Sequence, residues 1–424
     1  MAGKSDTSIM DKVSITHLLI FGIVVRAILL IFAEYQDRNF RVKYTDIDYM
    51  IVVDGAREMY GGGTPFDRTT YRYTPLLAVL ALPAVLIANP LGKVVFTLAD
   101  VGAAFYAYKV LTKFATERSA KWMVSFFILF NPIVLNVSTR GNSDMLITFM
   151  SMFVLSRFFD KKYFSAAAML GFAVHFKIYP IIYALPLVLG VIENSEGRSY
   201  IKKFMNAFPT ILLCGILFVV CFAVPTYLCY LKFGYRYLYE ALIYHFYRED
   251  HRHNFSPYWL LMYINMGRRA MGVGVDHSAG LFAFIPQFIV LFYSAWRLRR
   301  NIAHACCVQT VLFIAFNKVC TVQYFVWFIP FLPFVFCEPL NTATGKKSAR
   351  PSLWTMCAAF TLWSLTIPLW VVTAYPLEFE GKNLFGRLWI VSCVFYMATI
   401  LFASWLGRVC LRIQRAESVG IKHD

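Results

Sequence analysis

Several polar clusters interrupt an otherwise apolar chain, and their residue types suggest chemistry. In Tyr44-Thr45-Asp46-Ile47-Asp48-Tyr49 two carboxylates lie two positions apart. On an extended segment such a pair shares a face, whereas on a helix it diverges. A carboxylate of this kind can take the proton of an attacking hydroxyl, or hold a divalent cation against a phosphate. A D-x-D in an exposed loop also reads as plain solvated charge. Arg72 stands between Tyr71 and Tyr73 just before Thr74-Pro75. Its planar guanidinium suits a lipid phosphate, or it snorkels from an aromatic belt. The turn Ser138-Thr139-Arg140-Gly141-Asn142-Ser143-Asp144 groups a cation, an amide and a carboxylate.

His175 and Lys177 sit in an apolar stretch. Ionisable residues inside a membrane are expensive and carry a functional expectation with a partner. For Lys177 that partner is an anionic phosphate, with snorkelling as the alternative. The segment from His245 to Tyr258 holds Arg248, Glu249, Asp250, His251, Arg252, His253 and Asn254. Its histidine spacings match no zinc pattern, and it reads as a mixed-charge aromatic loop that closes on a sugar or phosphate. Lys318 and Gln323 form a last polar cluster after an apolar run. The ten cysteines show no C-x-x-C spacing, and read as small core hydrophobes.

The elements that position these clusters follow from composition. Of 424 residues 59% are hydrophobic and 15% charged, against about 45–50% and about 25% in an average soluble domain. Forty Phe and 25 Tyr exceed what one soluble core buries. Disordered, collagen-like and disulfide-scaffold classes are excluded, and the expected class is an all-α polytopic membrane protein. The net charge of +17 is accounted for by basic cytoplasmic loops rather than nucleic acid. Apolar runs of spanning length occupy 15–33, 94–111, 122–137, 207–230, 281–297, 303–316, 322–336, 353–373 and 388–406. Shorter ones occupy 145–159, 164–179 and 181–192. The first run lacks a following cleavage site and reads as an uncleaved signal anchor. If 74–88, with Pro75 and Pro83, does not cross, twelve spans remain and both termini are cytoplasmic. Basic clusters at Arg118/Lys121, Lys161/Lys162, Lys202/Lys203, Arg297/Arg299/Arg300, Lys346/Lys347/Arg350 and Arg408/Arg412/Arg415 then share the cytoplasmic side, the positive-inside arrangement. The polar clusters collect on the opposite side.

These blocks resemble the PIG-M family. The resemblance rests on Tyr44 to Tyr49, Ala56-Arg57, Thr70 to Leu77 (TYRYTPLL), and Arg140-Gly141-Asn142 with Asp144. It continues through Gly171 to His175 (GFAVH), Lys177 to Pro180 (KIYP) and Arg252 to Tyr258 (RHNFSPY). Phe316 to Thr321 (FNKVCT), Gln323 to Phe325 (QYF), Leu377 to Phe379 (LEF) and Gly381 to Asn383 (GKN) complete it. The blocks keep their order from about residue 40 to 385.

The resemblance implies a GT-C type fold of about twelve transmembrane helices, with residues 1–424 forming a single domain. Luminal loops at 34–73 and 231–279 would carry the active site in the endoplasmic reticulum. It implies transfer of the first mannose, α1,4-linked, from dolichyl-phosphate-mannose to glucosaminyl-phosphatidylinositol. The family's D-x-D falls on Asp46 and Asp48. A β-linked donor and an α-linked product require inversion, through an oxocarbenium-like transition state. Asp46 or Asp48 would be the base, and Lys177, Arg72, Arg140 and His253 would neutralise the departing phosphate. Tyr73, Asn142, Asp144, His175, Asn254, Lys318 and Gln323 would contact substrate. A D-x-D by itself also suggests a divalent metal, but side-chain cations can stabilise this leaving group, so no cofactor is required. A small stabilising subunit of the PIG-X type accompanies some members. A transporter or flippase and a non-catalytic membrane scaffold are the competing classes.

Overall fold

The structure is a computed structural model that describes residues 12–274, 284–337 and 352–420. The basic loop expected at 346–350 lies outside the described residues, as does the end of the 231–279 segment. Among the described residues the chain is helical, without strands. Apolar segments in lipid must satisfy their backbone groups internally, and a helix does so. Where one domain is expected over the whole length, the chain packs as two compact units. The first is Met1–Ala184, Ser195–Tyr244 and Phe325–Thr344, and the second Leu185–Asn194, His245–Tyr324 and Gly345–Asp424.

In the first unit, α1 (Ile15–Asn39) starts at Ser14, whose side chain accepts the His17 N–H. The segment 34–73, expected as a loop, is mostly built structure. It contains the last turns of α1, then α2 (Ile47–Tyr60) and the 3-10 turn Pro65–Asp67. Next come α3 (Pro75–Leu80) and α4 (Leu82–Leu86). At 1.5 Å per residue neither approaches the ~30 Å of a hydrocarbon core. After α5 (Asn89–Leu111), α6 (Glu117–Val124) runs through a π-turn and bends by 48° into α7 (Pro132–Thr139). The break falls before Pro132, where the Asn131 side chain accepts the N–H groups of Ile133 and Val134. Then follow α8 (Asp144–Phe159) and α9 (Tyr163–Phe176); α10 (Ala184–Asn194) passes into the second unit, and the chain returns as the 39-residue α11 (Tyr200–Leu238). A Cβ at Gly171 of α9 would lie 2.2 Å from the Phe218 carbonyl oxygen of α11, so these backbones touch where only glycine fits. Because α11 reaches Leu238 and helical turns follow it to Tyr247, the loop expected from 231 is helical over its first part. Buried short helices Phe325–Phe328 and Leu332–Phe336 complete the unit.

The second unit holds α12 (Trp259–Ala270), α13 (Phe284–Arg297), α14 (Ile302–Phe316), α15 (Leu353–Ser364), α16 (Thr366–Phe379) and α17 (Phe385–Gly420). Its core is pinned at Ser392, whose hydroxyl accepts the indole N–H groups of Trp259 and Trp370, both at 2.9 Å. By length and composition five described helices can cross a membrane, or six with the bent pair, and four shorter apolar helices join them. With α8 and α13, these place a helix or helix pair at every expected span.

Candidate active site

The D-x-D is a helix N-terminus rather than an extended strand. Asp46 is the N-cap of α2, with φ −68° and ψ 141°, and its side chain accepts the Asp48 N–H at 3.1 Å. Asp48 lies in the first turn, where the helix dipole favours a negative charge. The two carboxylates are thus placed by capping, not by the alternation of a strand. The segment before α2 is clasped to the turn after α7. The Asp46 N–H donates to the Arg140 carbonyl at 3.0 Å, and the hydroxyls of Tyr44 and Thr139 lie 2.6 Å apart. Gly141, at φ +89°, makes the turn possible: a Cβ there would sit 2.6 Å from the Tyr49 ring.

Asn142 joins the two halves. Its Oδ1 accepts the Asp144 N–H at 3.0 Å, and its Nδ2 donates to Asp46 Oδ2 at 3.3 Å. A backbone N–H only donates and a carboxylate accepts, so the amide orientation is fixed. Asp144 opens α8 and is buried, and its Oδ1 pairs with the Lys177 ammonium. A hydrogen-bonded chain therefore runs Asp46–Asn142–Asp144–Lys177 across the N-termini of α2 and α8.

The expected phosphate-binding cations differ in their surroundings. Lys177 is the C-cap of α9, in extended conformation, with Asp144 as partner and its Nζ 4.9 Å from the Trp327 ring centre. Arg72 pairs with Glu240 and stacks 4.0 Å over Tyr244. Tyr73 packs edge-on against Tyr71 at 5.6 Å. Arg140 has no carboxylate partner among the described residues, and its buried Nε finds no acceptor. In the second unit, His253 is exposed, in the left-handed region at φ 51°, with Nδ1 3.5 Å from Glu378.

Two expected substrate contacts are occupied internally. Both ring nitrogens of His175 meet hydroxyls, Nε2 with Thr74 at 2.8 Å and Nδ1 with Thr226 at 2.9 Å. Fully buried Asn254 donates to the carbonyls of Asp250 and Lys318 at 2.9 and 3.1 Å. Its Oδ1 accepts the N–H groups of Ser256 and Cys320, each at 2.9 Å. An asparagine offers two donors and two acceptor lone pairs, so neither side chain keeps a group for substrate, and both hold the backbone instead. Lys318, buried, donates to the Phe246 carbonyl at 2.6 Å. Burial, reinforced by Arg248, pushes it down to about 8. Gln323 lies half-buried in the 3-10 turn Val322–Tyr324.

No group of three or more His, Cys, Asp or Glu side chains among the described residues could hold a metal ion. The donor set around Asp46 is likewise engaged with N–H groups, so it does not fit a divalent cation, and no step is routed through one. The sequence reading missed Trp327, Glu240 and the buried Lys93, whose Nζ donates to Thr45 Oγ1 at 2.7 Å. Lys93 had a signal, an ionisable residue at the edge of an apolar run; the other two are brought in from far along the chain.

Comparison with known proteins gives consistent results. Residues 137–406 match the family described as Mannosyltransferase (PIG-M). GPI mannosyltransferase 1 of Trypanosoma brucei brucei is 60% identical over 414 residues, covering 96% of each chain. GPI mannosyltransferase 1 of Saccharomyces cerevisiae is 35% identical, over 90% of this chain and 92% of the relative. The GPI alpha-1,4-mannosyltransferase I catalytic subunit of Danio rerio is 32% identical, over 88% and 91%. Among solved structures, ArnT from Cupriavidus metallidurans bound to undecaprenyl phosphate aligns with TM-score 0.51 and 13% identity, over 96% of this chain and 79% of that one. That likeness is one of fold.

Proposed function

Because the chain belongs to the PIG-M mannosyltransferase family, on a GT-C type membrane fold, we propose that it transfers the first mannose of the GPI anchor. The donor is dolichyl-phosphate-mannose, the acceptor glucosaminyl-phosphatidylinositol, and the new linkage α1,4. The reaction belongs at the luminal face of the endoplasmic reticulum, and a small PIG-X-type stabilising subunit is compatible with it.

The observation that supports this reading best is the chain Asp46–Asn142–Asp144–Lys177. It fixes a carboxylate pair at one helix N-terminus and leaves a cation, Arg140, beside it without an acidic partner. The acceptor 4-hydroxyl oxygen attacks the anomeric carbon as the bond to the phosphate oxygen breaks, inverting the centre. The hydroxyl proton passes to Asp48, while Asp46, held by the Asp48 N–H and Asn142, orients the pair. The leaving dolichyl phosphate takes the bonding electrons, and Arg140 stabilises its charge. Both substrates are lipids, so the bilayer already confines them near the site.

Membranes incubated with labelled donor and acceptor should form the mannosylated product. Asp46→Ala and Asp48→Ala should lower transfer by about 10²–10⁴-fold, the usual cost of losing a general base, at unchanged protein level. Near-normal turnover in both would overturn the site. Lipid or solute movement by the purified protein without a new glycosidic bond would favour a flippase instead.

A further inference from the structure

Lys93 combines two costs. It is fully buried, at 0% exposure, and lies near the N-terminus of α5, the end where a helix disfavours cations. A buried ammonium without satisfied donors is strongly unfavourable. Its recorded hydrogen bond is the one to Thr45 Oγ1 at 2.7 Å, supplemented by the Tyr49 ring 5.5 Å away. The Thr45 hydroxyl in turn donates to Asp37 Oδ2. Asp37 Oδ1 receives the N–H groups of Tyr44 and Thr45 at 2.5 and 3.1 Å. The polarity of this relay is determined: the threonine proton points at a carboxylate, so the oxygen can only accept, and a lysine can only donate. On its other side the Lys93 stem backs the opposing turn, since a Cβ at Gly141 would lie 3.1 Å from Lys93 Cγ.

We propose that Lys93 is a positioning residue for the reaction, acting through Thr45 and Asp37 to hold the peptide that carries Asp46 against the Arg140–Asn142 turn. The proposal rests on the reading of Asp46 and Asp48 as the reacting pair. Thr45 immediately precedes Asp46, so a shift of its peptide moves both the N-cap and the bond to Asn142. Misplacement of a reacting group by about 1 Å can cost about 10²-fold in rate.

The test uses the full-length enzyme in membranes and in micelles. Lys93→Met keeps the length of the side chain and removes its donors. Thr45→Val keeps shape and removes the hydroxyl, and Thr45→Ser restores it. Lys93→Met and Thr45→Val should each lower kcat by about 10–100-fold, with KM for both lipids within about threefold, as expected for lost alignment. Thr45→Ser should recover most of the rate, and the Lys93→Met/Thr45→Val pair should be little worse than either alone. Should Lys93→Met fail to fold, the two Thr45 variants decide. A folded Thr45→Val enzyme with wild-type kcat overturns the proposal, as does Thr45→Ser as impaired as Thr45→Val. If Asp46→Ala and Asp48→Ala are inactive while Lys93→Met and Thr45→Val are normal, Lys93 alone loses its role. If both aspartate variants are active, the site and the Lys93 role fall together.

Discussion

Replacing Lys177 by methionine should destabilise the protein far more than replacing its partner Asp144 by asparagine. The Asp144 side chain is 2% exposed and that of Lys177 27%. Asp144 Oδ2 has no hydrogen-bond partner, and Oδ1 relies on the Lys177 ammonium. Lys177→Met therefore strands a buried carboxylate. Breaking a buried pair this way costs about 3–5 kcal/mol, and the partial exposure of the lysine argues for the lower end. A loss of about 3 kcal/mol is about a hundredfold in the folded-to-unfolded ratio. Asp144→Asn instead leaves a lysine whose head reaches water; the loss is one hydrogen bond, about 1 kcal/mol. The double variant should resemble Asp144→Asn, giving a coupling energy of about 2 kcal/mol in the mutant cycle. Reversible unfolding in mixed micelles measures the stabilities, and transfer at varied donor concentration reads function. If Lys177 also touches the donor phosphate, the double variant is stable but poor in donor use, and Lys177→Arg shares that defect because its planar fork differs in reach. A Lys177→Met protein as stable as wild type, or an Asp144→Asn cost exceeding that of Lys177→Met, would refute the reasoning.

Asn142→Asp should be worse than Asn142→Ala, because it sets a second carboxylate where Nδ2 now donates to Asp46 at 3.3 Å and like charges so close resist joint ionisation; the reverse order in a transfer assay would show that the amide does not orient Asp46. For Lys318, held to about 8 chiefly by burial, charge is lost as pH rises through that value, so kcat/KM for the donor should fall above pH about 8. The stability sign is opposite: the folded state binds fewer protons than the unfolded one from about 8 up to the ordinary lysine value, so stability rises with pH across that window. A profile unchanged by Lys318→Met would remove the lysine from the site. Glycosylation tags placed in 34–73 and in 346–350 should be modified only in the first, and modification of the second would reverse the topology.

The spans were legible because hydropathy is a local property: each expected crossing coincides with a helix or helix pair. The polar clusters were legible for the same reason, since a carboxylate pair or a lysine inside an apolar run stands out from its neighbours. What could not be read was pairing. Lys177 was assigned a phosphate, yet it meets Asp144, thirty-three positions away. Arg72 meets Glu240, and Arg26 in α1 meets Asp100 in α5 at 2.5 Å, both buried. Nothing within a window of twenty residues announces such partners. Asn254 and His175 show the converse. Their chemistry invites a substrate role, but hydrogen-bond capacity is finite, and the fold consumes it. The D-x-D failed for a third reason: its spacing was read with strand geometry, whereas Asp46 prefers the N-cap position that asparagine, aspartate and serine fill best.

These pairings redistribute the work of neutralising a leaving phosphate. A cation already balanced by a carboxylate contributes less net field at the reacting centre than an unbalanced one, and borrowing it exposes the abandoned acid. Lys177 would leave Asp144, Arg72 would leave Glu240, and His253 would leave Glu378. For buried Asp144 that penalty is large; for exposed His253 it is small. Arg140 has no such debt. Its buried Nε lacks an acceptor, an arrangement that costs free energy in the empty enzyme and is recovered when an anion arrives. Its carbonyl also accepts the Asp46 N–H at 3.0 Å, so the residue that would meet the phosphate is covalently continuous with the group that places the carboxylates. Donor charge and acceptor deprotonation are thereby coupled through a single peptide, which is why the turn needs a glycine beside it and why a small shift there should appear in kcat rather than in lipid affinity.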